Sequence, residues 1–132
     1  MRSITYAFTL VELLIVIAII SILAGIGIPS YQHYLKQARF SEVIMATAPF
    51  KTAVSIGLQD GLTKKELNNG DNGVPNSPMA THNLASIHVK NGTITAKAGK
   101  RAGGYTYVLT PSNDGTRWTV SGTCLEANVC KH

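Results

Sequence analysis

One carboxylate in this chain stands where carboxylates are costly. Glu12 lies near the start of FTLVELLIVIAIISILAGIGIPSY, residues 8–31, and is the one charged side chain between Phe8 and Ser30. An acid at the centre of a membrane-spanning helix costs about 2.5–3.5 kcal/mol on insertion scales, and less near an end. An acid so placed requires a partner. Cys124 and Cys130 are a second pair able to do chemistry. With no histidine beside them they fit a disulfide better than a zinc site, and a disulfide needs an oxidising compartment. Third, KNGTITAKAGKR, residues 90–101, holds Lys90, Lys97, Lys100 and Arg101 with no acid, and Tyr105 and Tyr107 follow. Such a cluster can contact phosphates without reading sequence. A DNA contact at Lys97, Lys100 and Arg101 therefore stands beside two plainer readings, a solvated hairpin and a subunit contact.

Catalysis finds no support in the pattern. His33, His82, His88 and His132 have no metal-ligand spacing of the HExxH kind, and neither GxSxG nor a P-loop occurs. The expectation is no catalytic residue, no metal, no cofactor and no enzyme activity.

The bulk numbers agree with an anchored domain. The chain has 132 residues, 45% hydrophobic and 14% charged, with a net charge of +5 and a pI near 9.4. Charged residues usually make up about 25% of a soluble domain. Here the apolar excess is concentrated before residue 30. Residues 60–132 carry eight Lys or Arg and five Asp or Glu, so their net charge is only +3.

Residues 8–28 would reach about 32 Å as a helix, enough for a hydrocarbon core of about 30 Å. A signal peptide cut near Ala24 or Gly27 has the right apolar length but leaves an acid ahead of its core. A plain anchor leaves Glu12 unexplained. A buried core helix would not be so uniformly apolar in so small a protein.

AFTLVELLIVIAII, together with Pro29 and the late cysteine pair, resembles the type IV pilins, and the type IVa group in particular. The resemblance implies a leader, residues 1–7, removed by prepilin peptidase between Ala7 and Phe8, and N-methylation of the new Phe8 amine. Ala7 stands where the family usually has Gly, and Arg2 is the leader's one base. Glu12 would then be the assembly residue, meeting the Phe8 amine of a neighbouring subunit. Two groups costly alone in lipid become tolerable when paired, and the helix dipole also favours an acid there. Arg2 lies on one side of the apolar run, and Lys36 and Arg39 on the other, so orientation rests on the resemblance and the cysteines. The resemblance further implies a homo-oligomeric helical filament, an inner-membrane platform and motor ATPase as partners, and Cys124–Cys130 as the C-terminal disulfide loop. The subunit would be held in the bacterial inner membrane as precursor and then in an extracellular pilus serving adhesion, twitching motility or DNA uptake. The rivals are a type II secretion pseudopilin, a minor pilin acting as DNA receptor, and a lone globular protein with a signal peptide.

The elements that must position these residues follow from periodicity. Phe40, Val43, Ile44, Thr47, Phe50, Val54 and Leu58 recur three or four apart, which marks an amphipathic helix. One helix is expected from Phe8 to about Gln59, about 78 Å at the standard rise, stopping at Gly61. Pro29 removes the hydrogen bond to Gly25, so Gly25, Gly27 and Pro29 mark residues 24–29 as a kink or melting zone. Pro49 gives a second, gentler bend, and Arg39 and Glu42 are placed to pair. Residues 61–83 read as a connecting loop with a short helical turn at residues 64–68. Asn91-Gly92 signals a type I′ hairpin, and PSNDG separates a second pair of strands. Ile87, Val89, Ile94, Tyr107, Val108, Trp118 and Val120 are candidates for the face packed on the helix. The predicted class is α+β, a pilin fold: a long N-terminal helix whose first half, residues 8–30, spans the membrane and drives assembly. Its second half, residues 31–60, packs on a four-stranded antiparallel sheet within the head, residues 61–132.

Overall fold

The computed structural model describes residues 6–132. Arg2 and most of the expected leader lie outside the described residues. The chain divides into two units after Tyr34.

The first unit holds the apolar part of helix α1, Leu10–Ala46. Between Leu10 and Ser30 no side chain is buried. Residues 24–29 are helical throughout, although Pro29 has no N–H to offer the Gly25 carbonyl. Two hydroxyls turn back onto this helix: Ser21 donates to the Ile17 carbonyl at 2.6 Å and Ser30 to that of Ile26 at 3.1 Å.

The second unit is the head. The rest of α1 enters it and gives way, after one interrupting residue, to α2, Ala48–Gln59. The interruption at Thr47 has a local cause. Pro49 occupies the first turn of α2, where its missing N–H is harmless, but it cannot donate to the Met45 carbonyl, so the ladder of α1 stops. Thr47 closes the gap. Its N–H and hydroxyl both donate to the Ile44 carbonyl, at 3.1 and 2.6 Å, and its own carbonyl accepts from Lys51 N–H at 3.0 Å. The expected bend at Pro49 is thus a one-residue break two positions upstream. At the far end Gly61 has φ +91°, and Leu62 N–H donates to the Gly57 carbonyl at 3.0 Å while Gly61 N–H donates to that of Leu58 at 3.2 Å. This doubly bonded left-handed cap is the stop expected at Gly61.

A capping box, Thr63 with Glu66, starts a short 3₁₀ turn at Lys64–Glu66. Four antiparallel strands follow in sequential order: β1 Leu84–Lys90, β2 Thr93–Ala98, β3 Thr106–Pro111 and β4 Trp118–Ser121. Asn91 and Gly92 have φ of +51° and +74°, the type I′ signature, and Val89 pairs with Ile94 beside them. The outer edge of β1 is covered rather than left open. Asn69 exchanges bonds with Val89, receiving its N–H on Oδ1 at 2.6 Å and donating its own N–H to the Val89 carbonyl at 3.2 Å.

The core lies between α1–α2 and one face of this sheet. Phe40, Val43, Thr47, Phe50, Val54 and Leu58 are buried on the helical side, with Ile44 packed at the margin. Ile87, Val89, Ile94 and Tyr107 are buried on the sheet side, and Trp118 and Val120 are half-buried against the same cluster. Val108 is not on that face; Leu109 is. Tyr107 and Val108 are neighbours in a strand and cannot both point inward.

Candidate functional site

The N-terminal site is built by the start of α1. Thr9 is the residue before the helix, and Glu12 sits in its first turn. Glu12 Oε2 accepts the Thr9 backbone N–H at 3.1 Å and the Thr9 hydroxyl lies 3.3 Å from the same oxygen, while Thr9 Oγ1 accepts the Glu12 N–H at 3.1 Å. This is a reciprocal capping box. The acid therefore has a local role before any neighbour arrives: it satisfies one of the orphan donors that every helix start exposes. The signal was present in the sequence as Thr-x-x-Glu at residues 9–12, hidden inside a stretch read for its hydropathy. Phe8 and Ala7 precede the cap and, with Tyr6 and Glu12, line an open depression of about 320 Å³. The two residues flanking the expected cut are both exposed, outside the helix.

The C-terminal pair is joined. Cys124 and Cys130 form a disulfide with Cα atoms 5.4 Å apart. Both sulfurs belong to the core: Cys124 is fully buried and Cys130 nearly so. Cys124 lies in α3, Thr123–Glu126, which is fastened to β3 by a reciprocal pair of hydrogen bonds. Thr106 N–H donates to Thr123 Oγ1 at 2.9 Å and Thr123 N–H to Thr106 Oγ1 at 3.1 Å. Gly122 makes the approach feasible: its φ is +114°, and a Cβ there would run into the Thr106 carbonyl. The loop and α1 together line a cleft of about 310 Å³ that includes Gln37, Ser41, Tyr107 and Lys131.

The basic cluster is only partly assembled. Lys97 is exposed near the end of β2, between buried Ala96 and Ala98, and Lys100 and Arg101 are exposed on the 3₁₀ turn Lys100–Ala102 that follows. Arg39 of α1 joins them, its Nη1 donating to the Arg101 carbonyl at 3.1 Å. This fourth cation is 62 residues away in sequence, and no spacing rule could have revealed it. Arg39 does not pair with Glu42 as its spacing suggested; Glu42 accepts from Asn83 Nδ2 at 2.6 Å instead. Lys90 is separated from the cluster. It pairs with Thr93 at the hairpin turn, about 13 Å along β2 from Lys97 at the strand rise. Nor are the tyrosines free to stack on bases. Tyr105 and Tyr107 both meet Phe40 edge-on with ring centroids 6.3 Å apart, and burial pushes the Tyr107 phenol above its ordinary value.

Comparison with known proteins adds the following. A family model described as Pilin (bacterial filament) matches residues 37–130, and a model of the prokaryotic N-terminal methylation motif matches residues 4–28. The chain is 35% identical over 116 residues to a prepilin peptidase-dependent protein D of Escherichia coli, covering 85% of this chain and 79% of that protein. It is 40% identical to a type IV major pilin protein, PilE1, of Neisseria gonorrhoeae, over 73% of this chain and 59% of that one. A type IV major fimbrial protein, FimA, of Dichelobacter nodosus is 46% identical over 50% of this chain and 42% of its own. The chain thus spans about half the length of these two relatives.

Proposed function

This chain belongs to the type IV pilin family, and we propose that it is a filament subunit whose assembly is controlled at Phe8 and Glu12. The observation that carries this is the unburied apolar helix from Leu10 to Ser30 with one carboxylate at its head. Such a surface needs either lipid or other helices around it. In the precursor, residues 8–28 would lie in the inner membrane and the head beyond it, in a compartment that supports the Cys124–Cys130 bond.

Prepilin peptidase hydrolyses the Ala7–Phe8 bond in this reading. Cleavage leaves Phe8 with an α-ammonium group, cationic at neutral pH, and methylation preserves a protonatable amine. Glu12 then has a full positive charge to meet on an adjoining subunit. A charge-assisted bond in low dielectric outweighs the neutral donors of Thr9. Pairing would set the register between subunits while the apolar helices exchange lipid for one another. The platform and motor ATPase would be supplied separately. Residues 24–29, with a ladder weakened by Pro29 and two glycines, are the stretch that would extend in the fibre. The major fimbrial and pilin relatives support a pilus subunit over a secretion pseudopilin, with adhesion, twitching motility and DNA uptake as its uses.

Glu12→Ala tests the reading. The variant should insert in membranes and be cut before Phe8, and give no fibres by electron microscopy. Abundant normal fibres would refute the pairing, and a mature N-terminus downstream of Glu12 by mass spectrometry would refute the whole account.

A further inference from the structure

The basic corner of the head has a position as well as a charge. We propose that Arg39, Lys97, Lys100 and Arg101 form a docking surface for anionic phospholipid headgroups, which holds the head of the unassembled subunit against the membrane. The proposal rests on the reading of residues 8–28 as membrane-inserted. Arg39 follows Ile28, the last residue of the apolar run, by eleven residues. Helix α1 contains both, so Arg39 stands about 16 Å along the chain from that run at the helical rise. Headgroups extend about 5–7 Å beyond the hydrocarbon on each side. The backbone of Arg39 is then about one Debye length from the charged layer at 0.1 M salt, and a long basic side chain shortens the gap further.

The head gathers its other cations at this same level. The Lys100–Ala102 turn is fixed to α1 by the bond from Arg39 to the Arg101 carbonyl, and by the packing of Tyr105 on Phe40. Lys97 immediately precedes that turn, and Lys36 lies one helical turn before Arg39. Glu42 is the acid drawn in beside this corner, and its carboxylate is engaged by Asn83, whose own carbonyl accepts from Gly99. Duplex DNA is the rival polyanion, and two features count against it. Lys90, which would extend the patch into a stripe, is at the far end of the hairpin. Tyr105 and Tyr107, which would stack on exposed bases, are packed on Phe40. A compact patch beside a membrane helix fits a charged plane better than a groove-following strand.

The test uses the full chain reconstituted in phosphatidylcholine vesicles, with or without phosphatidylglycerol. Insertion is read first, by flotation after alkaline carbonate. Amine acetylation followed by mass spectrometry then reports each lysine. Labelling of Lys97 and Lys100 should slow about fivefold in the anionic vesicles, the effect of one surface-bound cation, and recover in high salt. Lys65, exposed on the other 3₁₀ turn, should label equally in both. Arg101→Gln should lessen the protection of Lys100. Equal labelling of Lys97 and Lys100 in the two floated samples overturns the proposal. So does protection by added duplex DNA without protection by phosphatidylglycerol, which would assign the patch to nucleic acid. A chain that fails to float removes the membrane reading itself, and this inference with it.

Discussion

Thr9 and Glu12 do two jobs with one carboxylate. In the uncut chain the pair completes the first turn of α1, and the same oxygen is the group proposed to receive a neighbour's ammonium. The two roles separate by substitution. Thr9→Val removes the hydroxyl but leaves Glu12 its charge, so the helix start should weaken by about 1 kcal/mol while fibres still form. Amide exchange of residues 10–13 in detergent micelles should quicken accordingly, and fibre yield by electron microscopy should stay near normal. Asp114 offers a cleaner titration in the head. Its carboxylate accepts from the Ser112 hydroxyl, the Thr116 hydroxyl at 2.8 Å and the Thr116 N–H at 3.2 Å, and these bonds hold it down to about 2 from an ordinary 3.8. A folded value below the unfolded one means the contribution is complete above about pH 4 and disappears as pH falls through 2. Asp114→Asn should therefore lower the melting temperature at pH 6, with the gap from the parent closing between pH 4 and 2. A gap independent of pH would mean that the Asp114 charge contributes nothing to stability.

At the scale of elements, what was legible depended on whether a single pattern decided the matter. The extent of the helices and their stop at Gly61 could be read because apolar spacing and a glycine cap agree. The Asn91-Gly92 hairpin could be read because only a type I′ turn suits those two residues between alternating runs. The inward face of β3 could not. Tyr-Val-Leu at residues 107–109 puts apolar side chains on both faces, so alternation leaves the choice open. In β1 the register shift between Leu84 and Ser86 sets buried Leu84 and Ile87 three apart, off the period of two. The basic corner joins α1 to a turn 62 residues later, which only the packing of Phe40 against Tyr105 and Tyr107 brings about. The disulfide element yields a prediction of its own. Cys124→Ser with Cys130→Ser releases a clasp of separation six, worth about 2 kcal/mol on the chain-entropy model. The head should melt about 10 °C lower, followed by circular dichroism. The Thr106–Thr123 bonds should keep α3 in place at low temperature.

The molecule as a whole divides its work between a surface that is all contact and a head that is all core. Every buried side chain among the described residues lies between Phe40 and Cys130. The helix before Tyr34 therefore adds nothing to the head's interior, and the head's stability does not depend on it. A chain beginning at Leu35 keeps Phe40, Val43, Phe50, Val54 and Leu58, the whole helical side of the core. It should be soluble, and melt within a few degrees of the full chain in detergent. Within that head, Phe40→Ala should cost about 3–5 kcal/mol, because Phe40 is fully buried beneath both Tyr105 and Tyr107. The two changes test opposite sides of one division. A truncated head that aggregates or melts far below the full chain would show that the apolar helix supports the fold. A truncated head that matches the full chain, together with a Phe40→Ala head that unfolds, places stability in the core and leaves the apolar helix to membrane and neighbours.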